Sequence, residues 1–424
     1  MQTPASAAAG DVSAKVHYRT IEELQARLRS AEISPVAVVD ACLARIDALN
    51  DTLNAFATIV AESAREQARD AEAEMRAGKW RGPLHGIPIG IKDFYDTAGI
   101  RTTAAFDHFR KRVPRSDAAA VARLKDAGAI VIGKTNMHQL GMGTTGLESC
   151  FGPVKNPWNA AYIPGGSSSG SAAAVAAGMC YATLDTDAIG SCRLPAACCG
   201  VVGFKGTYGL VSPKGILEGE QADETILWLA HPGITTRSAA DTAIVLKAVA
   251  EPNEYAKASG GETHADQKSA RNIAIGTADN FAADADVARM FEAALRKIGC
   301  SIVPARAPFD IPPFGDLRSI ETDRKTISDR SFKDVDVLLL PTTATKVPTV
   351  ESARGKPQAL AASNTLFANY FGLPAISIPC GFDDNGLPVG LQIVGKPWDD
   401  GTVLRLARQF ETALQSAARH PAPA

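Results

Sequence analysis

Hydrophobic residues in the N-terminal part of the chain recur three or four positions apart, which is the spacing of one face of a helix. The run that shows this best is Val38, Cys42, Ile46 and Leu49. It follows Ser34-Pro35, a serine N-cap with proline at the first helical position. An earlier helix is predicted from Thr20, because Glu23 three residues later completes a capping box.

From residue 84 onward the pattern changes to short apolar strands that alternate with helices. Ile87, Ile89 and Ile91 alternate with other residues in a strand that ends at Lys92. We expect Ser116 to cap the next helix. The strand–helix–strand rhythm recurs at 273–277, 285–299 and 301–304, and at 335–340, 362–371 and 375–379. Such alternation predicts a single large α/β domain whose mixed central β-sheet is covered by helices on both faces.

Domain boundaries are expected close to the two ends of the chain. Residues 1–17 are small and polar and are predicted to be disordered or flexible. Residues 18–415 are predicted to form the folded domain, and residues 416–424 a flexible C-terminus. Residues 251–271 are the best candidate for a surface loop.

Charge and cysteine usage narrow the class of protein. Among 424 residues, 44 are basic and 46 are acidic, with no basic run that would attract nucleic acid or an anionic membrane directly. Eight scattered cysteines in a long chain are typical of reduced thiols. No secretory signal or membrane span is visible, so we expect a cytoplasmic protein that acts on a small molecule.

The Gly/Ser segment Gly165–Ser171 is the first candidate for chemistry. A flexible linker is one alternative, but the segment runs directly into Ala172–Gly178, which favours a helix. A phosphate-binding loop is another, but the Lys-Ser/Thr pair of a Walker loop is absent. Glycines and hydroxyls at a strand–helix turn also suit nucleophilic catalysis.

A second segment, Thr186–Ala196, places Ser191 directly after a short turn. Successive backbone N–H groups in such a turn can point at one oxyanion. None of the seven histidines has the sequence context of a catalytic base. Lys92 can be the base instead, if burial lowers its pKa; the alternative is an ion pair with Asp93.

Taken together, these segments resemble the amidase signature family, which includes bacterial amidases, fatty acid amide hydrolase, malonamidase and the A subunit of the tRNA-dependent amidotransferase. The resemblance covers roughly residues 18–415, which would form an amidase domain. The matching blocks are Pro83–Asp93 with Asp96–Gly99, Gly133–Met137, Gly165–Ala177 with Thr186–Ala197, and Gly372–Ala375 with Leu387–Gln392.

The resemblance implies a role for each residue of a Ser-Ser-Lys triad. Lys92 falls on the family's catalytic lysine and Ser191 on its nucleophile, in a Gly-Ser-x-Arg context. The bridging serine, which follows a cis peptide bond in the family, falls on Ser167, 24 residues before Ser191. The backbone N–H groups of Ala188, Ile189, Gly190 and Ser191 are expected to form the oxyanion hole. Supporting residues would be Ser168, Ser169, Asp187 and Arg193.

This arrangement implies an amidohydrolase that cleaves a small carboxylic amide through a Ser191 acyl-enzyme, without metal or other cofactor. A homodimer is a reasonable expectation. One alternative is the glutaminase-type A subunit of an amidotransferase assembly. Another is a member that has lost catalysis, because Ile189 stands where the family usually has glycine. The span 306–333 is also shorter than the helical region expected there.

Overall fold

The computed structural model describes residues 16–221, 224–258, 273–312, 316–415 and 419–422. In these ranges the chain forms eleven strands, numbered here in chain order. They are β1 Phe56–Ile59, β2 Pro88–Lys92, β3 Ile130–Thr135, β4 Ala182–Asp187, β5 Val202–Lys205, β6 His231–Thr236, β7 Ile275–Ala278, β8 Ile302–Ala305, β9 Val337–Pro341, β10 Ala375–Phe382 and β11 Pro388–Gly395.

The same ranges contain fourteen α-helices and three short 3-10 helices. The α-helices are α1 Ile21–Arg29, α2 Pro35–Leu53, α3 Ala61–Arg76, α4 Ala119–Asp126, α5 Ser169–Ala176, α6 Arg193–Cys199, α7 Glu224–Leu229, α8 Ala239–Val249, α9 Pro252–Ala258, α10 Ala285–Ile298, α11 Ile320–Ser331, α12 Val350–Ala353, α13 Leu366–Tyr370 and α14 Asp400–Leu414. The 3-10 helices are Val16–Tyr18, Asp107–Phe109 and Gln139–Gly141.

The eleven described strands form one mixed sheet in the order β1-β3-β2-β4-β6-β5-β10-β11-β9-β7-β8. Strand β2 is parallel to both of its neighbours, β3 and β4. At the other end of the sheet, β7 is parallel to β8 and β9. The strands between these groups pair antiparallel. The predicted single α/β domain with a mixed central sheet flanked by helices is confirmed.

Local signals place the first helices as predicted. Thr20 and Glu23 form a complete capping box at the start of α1, and the Ser34 hydroxyl accepts the N–H of Ala37 at the start of α2. The cap predicted at Ser116 is wrong: α4 has Ala118 at its N-cap, without a side-chain cap.

The chain ends differ in part from the expected flexible segments. Residues 1–15, 416–418 and 423–424 lie outside the described residues. Val16 is buried within a 3-10 helix, and the His420 ring stacks on Tyr18 with centroids 4.0 Å apart. Of the expected loop 251–271, Pro252–Ala258 is helical and residues 259–271 lie outside the described part.

The sheet brings together two segments that are distant in sequence. Because β2 and β4 are parallel neighbours, their C-terminal ends lie side by side at one edge of the sheet. Lys92 ends β2, and Thr186 and Asp187 end β4. Helices α5 and α6 pack against each other and are buried throughout. None of the described helices has the length and hydrophobicity needed to cross a bilayer.

Candidate active site

Lys92 is fully buried and its amine is surrounded by hydroxyl groups. Its Nζ lies 2.8 Å from Ser167 Oγ, 2.8 Å from Ser168 Oγ and 2.8 Å from Thr186 Oγ1. These partners come from the start of α5 and the end of β4. The structure does not show the alternative ion pair with Asp93. That carboxylate instead accepts the hydroxyl of Thr103 and lies 3.9 Å from the buried Lys134.

The surroundings of Lys92 favour the neutral amine. Burial lowers the pKa of Lys92 from 10.5 to about 8, although the nearby carboxylates of Asp185 and Asp187 oppose this shift. A neutral amine has a lone pair that can accept a proton from one of the three hydroxyls. Lys92 therefore has the environment of a general base near neutral pH.

Ser167 lies where a loop meets the start of α5. Its carbonyl accepts the N–H of His138 at 3.0 Å, and the peptide bond that joins it to Gly166 is cis, as the resemblance implied. Gly141 lies beside the hydroxyl, since a Cβ on this glycine would stand 3.6 Å from Ser167 Oγ. Ser169 follows, with its hydroxyl 3.5 Å from the Ser167 carbonyl. The Ser167 hydroxyl is thus enclosed by backbone on one side and by Lys92 on the other.

Ser191 lies in the turn that connects β4 to α6. The carbonyl of Ser191 accepts the N–H of Ser168 at 3.1 Å, so the two serine-bearing segments are in direct contact. Ser191 is 4% exposed. Within the described residues, its hydroxyl makes no hydrogen bond, and a bond to Ser167 Oγ is absent. The structure therefore places Lys92 and Ser167 in contact and brings Ser191 next to them, with its hydroxyl free.

Asp187 organises the turn that carries Ser191. Its carboxylate accepts the backbone N–H groups of Gly190 at 2.7 Å, Cys192 at 3.2 Å and Arg193 at 3.4 Å. It also pairs with the Arg193 guanidinium at 2.9 and 3.0 Å. Burial alone would raise the pKa of Asp187, but the buried Arg193 charge holds it well below its ordinary value. Asp187 therefore stays ionised and holds the turn in shape.

Of the four backbone N–H groups predicted to form an oxyanion hole, at residues 188–191, one already has an acceptor. The N–H of Gly190 donates to Asp187, and this glycine has a φ of 132°. In the described structure, the N–H groups of Ala188, Ile189 and Ser191 have no hydrogen-bond acceptor. Ile189 is not among the residues with positive φ, so the branched side chain fits the turn without backbone strain.

A short helix far along the chain holds this turn from the other side. The Thr365 hydroxyl donates to the carbonyl of Ile189 at 2.5 Å. The side-chain amide of Asn369 donates to the Asp187 carbonyl at 2.7 Å and accepts from Arg193 at 2.6 Å. Both residues belong to α13 or its N-cap.

Sequence reasoning missed several of these residues, although signals existed for two of them. Thr186 lies inside the Thr186–Ala197 block, and Gln392 ends a C-terminal block. Gln392 accepts a hydrogen bond from Arg193 at 2.6 Å. Thr365 and Asn369 had no sequence signal. Among the described residues, no group of His, Cys, Asp and Glu has the arrangement of a metal site.

The chain is similar in sequence to known amidases and amidotransferase subunits. A family model described as Amidase matches residues 37–311 and 317–404. The interruption at 312–316 lies inside the span expected to be short. The A subunit of glutamyl-tRNA(Gln) amidotransferase from Prochlorococcus marinus is 33% identical over 490 aligned residues, covering 95% of this chain and 99% of the relative. Since that alignment is longer than the 424-residue chain, the relative carries segments that this chain lacks.

Two solved structures share the backbone fold. Peptide amidase from Stenotrophomonas maltophilia matches with a TM-score of 0.78 and 26% identity, covering 95% of this chain and 98% of that one. The A subunit of glutamyl-tRNA(Gln) amidotransferase from Thermotoga maritima matches with a TM-score of 0.73 and 27% identity, covering 94% and 95%.

Proposed function

Because the chain belongs to the amidase signature family, whose members act on linear amide C–N bonds, we propose that it cleaves a carboxylic amide through an acyl-enzyme on Ser191. The observation that carries this proposal is the buried Lys92 amine, which has its pKa lowered to about 8 and contacts the Ser167 hydroxyl. Such an amine can take a proton from Ser167 while Ser167 takes one from Ser191.

In the acylation step, the proton moves from Ser191 to Ser167 and from Ser167 to Lys92, and Ser191 Oγ attacks the amide carbon. This step requires the Ser191 side chain to rotate about its Cα–Cβ bond until its hydroxyl contacts Ser167; catalytic hydrogen bonds are often incomplete before substrate binds. The unbonded N–H groups of Ile189 and Ser191, with Ala188 beside them, would bind the oxyanion. Each such donor is typically worth about 2.7–4 kcal/mol.

Collapse of the tetrahedral intermediate breaks the C–N bond. The proton held on Lys92 returns through Ser167 to the leaving nitrogen, which departs as ammonia or an amine. Water then gives its proton to the same relay and hydrolyses the acyl-enzyme to a carboxylate. The Asp187 carboxylate binds the N–H groups of the turn and the Arg193 guanidinium, so both residues serve to position Ser191.

The comparisons favour a specific form of this reaction over the stand-alone amidase expected from sequence. The relative from Prochlorococcus marinus is the A subunit of an amidotransferase, and the similarity extends over nearly its whole length. We therefore propose the side-chain amide of glutamine as the first substrate to test, with the ammonia used by partner subunits of an assembly. A stand-alone hydrolase of small amides is the second candidate, supported by the closer backbone match to peptide amidase. Either form agrees with the predicted cytoplasmic location.

Labelling by a fluorophosphonate probe tests the shared chemistry. We expect the intact protein to be labelled on Ser191, and Lys92→Ala and Ser167→Ala to slow labelling by at least about 100-fold. Ser377→Ala is the matched control, because this buried serine of β10 bonds Thr342 and is not among the groups that act on Lys92. Absence of labelling in the wild type would overturn the proposal and support a member that has lost catalysis.

Ammonia release separates the two candidate substrates. Purified protein is assayed with glutamine and with butyramide, alone and after mixing with candidate partner subunits. Glutamine turnover that requires a partner supports the assembly. Turnover of butyramide by the chain alone, with no activity toward glutamine under any condition, supports the stand-alone hydrolase.

A further inference from the structure

Ile189 is a partly exposed apolar side chain that the fold does not use for packing. Each of the three apolar clusters among the described residues excludes it, whereas its neighbour Ala188 packs against the cluster that contains Leu229 and Phe367. Ile189 lies two residues before Ser191, so its side chain is available to contact an acyl group bound to that serine.

Backbone contacts hold Ile189 close to the reacting atoms. The Thr365 hydroxyl donates to the Ile189 carbonyl, while the N–H of Ile189 has no acceptor in the described structure. Standard geometry puts Cβ about 2.5 Å from the nitrogen of the same residue, and a bound oxyanion would be about 2.9 Å from that nitrogen. The Ile189 side chain would thus begin within about 5.4 Å of the substrate oxygen, whichever way it points.

We propose that Ile189 forms a wall of the acyl site and selects amides whose carbon next to the carbonyl is unbranched. This inference rests on the proposed function, and it narrows the substrate class. The side-chain amide of glutamine and simple n-alkyl amides meet the condition, because a CH₂ group follows the carbonyl. The C-terminal amide of a peptide does not, because its carbonyl is attached to a branched Cα.

The selectivity follows from the stiffness of the wall. A β-branched side chain has few accessible rotamers, and the bond from Thr365 prevents its backbone from moving away. Gly190 takes the positive φ that the turn requires, so Ile189 stays in an ordinary conformation. A branch on the acyl group must then compete with the isoleucine methyl groups for the same space. One added carbon typically changes kcat/KM by about 10–200-fold in such a pocket.

The test compares two acyl donors with the same atoms, p-nitrophenyl butyrate and p-nitrophenyl isobutyrate. The rate of the nitrophenolate burst reports acylation of Ser191 in the full chain. We expect the wild type to prefer butyrate by at least about 10-fold. Ile189→Ala should reduce this preference at least fivefold, mainly by faster reaction with isobutyrate. Ile189→Val, which keeps the β-branch, should give an intermediate preference.

Ile244→Ala provides the matched control. Ile244 is a partly buried isoleucine of α8 that packs against the main core, so the same change there should leave the preference within twofold of the wild type. A preference that stays within twofold in both Ile189 variants, with the burst intact, overturns this inference alone. A wild type that shows no burst with either ester and no fluorophosphonate labelling overturns the proposed function, and this inference falls with it.

Discussion

The pH dependence of Ser191 labelling is the sharpest test of Lys92 as the base. Burial lowers the pKa of Lys92 from 10.5 to about 8, which corresponds to about 3 kcal/mol of preference for the neutral amine. With that pKa, about 9% of the amine is neutral at pH 7, about half at pH 8 and about 90% at pH 9. If only the neutral amine accepts the proton, the labelling rate rises about tenfold from pH 7 to pH 9 and then levels off.

A variant can distinguish Lys92 from Lys134, a second buried lysine that also has its pKa lowered to about 8. The Asp185 carboxylate raises the pKa of Lys92 and is not among the groups that act on Lys134. Asp185→Asn should therefore move the midpoint of the labelling profile to lower pH. Thermal unfolding at each pH shows whether the variant remains folded.

The assay is the second-order rate of fluorophosphonate labelling between pH 6 and pH 10, measured for the wild type and for Asp185→Asn. A flat wild-type profile would refute the reasoning, and so would a midpoint near 10.5, the ordinary value for lysine. A normal wild-type profile with an unchanged midpoint in Asp185→Asn would assign the titration to a group other than Lys92.

Three further predictions concern the frame around the site and the fold. Gly190→Ala should lower the free energy of unfolding by about 1–3 kcal/mol more than Gly209→Ala does. Both glycines have positive φ, but an added Cβ would clash with Thr365 at Gly190 and would meet open space at Gly209. Equal losses of stability on thermal unfolding would contradict this prediction. Thr365→Val, which removes the hydroxyl that binds the Ile189 carbonyl, should lower the free energy of unfolding by about 1 kcal/mol and slow the labelling of Ser191. Thr365→Ser keeps the hydroxyl and should retain wild-type stability and labelling rate. Equal defects in the two variants would contradict a role for the hydroxyl. Glu411 is a buried carboxyl with its pKa raised from 4.5 to about 8, first by burial. The folded state therefore holds the proton more tightly, and wild-type stability falls as pH rises from 4.5 through 8. Glu411→Gln should accordingly have a higher Tm than the wild type at pH 9 but not at pH 4, and a Tm gain of the same size at both values would refute the argument.

Much of the fold could be predicted from local patterns. The capping box at Thr20, the Ser34-Pro35 helix start and the alternating isoleucines before Lys92 each depend on residues within a few positions of one another. Their elements appear in the structure at nearly the predicted bounds. The prediction failed where a cap was assigned from residue type alone, at Ser116, because the loop enters α4 two residues later without a side-chain cap.

The candidate residues Lys92, Ser167 and Ser191 could be named from the sequence because each lies in a short block with a characteristic order of residues. The blocks carry no information about the distances between the Lys92 amine and the hydroxyls of Ser167 and Ser191. The sheet settles that distance, since the parallel pairing of β2 with β4 brings Lys92 to the end of the strand that leads to Ser191.

The sequence alone therefore determined most of the helices and strands, and the residues at their ends that carry the candidate chemistry. Only the tertiary structure decided that Gly190 donates to Asp187, that Thr365 holds Ile189, and that Asp93 lies beside Lys134 and not beside Lys92 in an ion pair. Such contacts join residues up to 176 positions apart, and their geometry depends on strand register and helix packing. Periodicity within a short window carries no information about either, because it describes which face of an element is buried and not which distant side chain meets it.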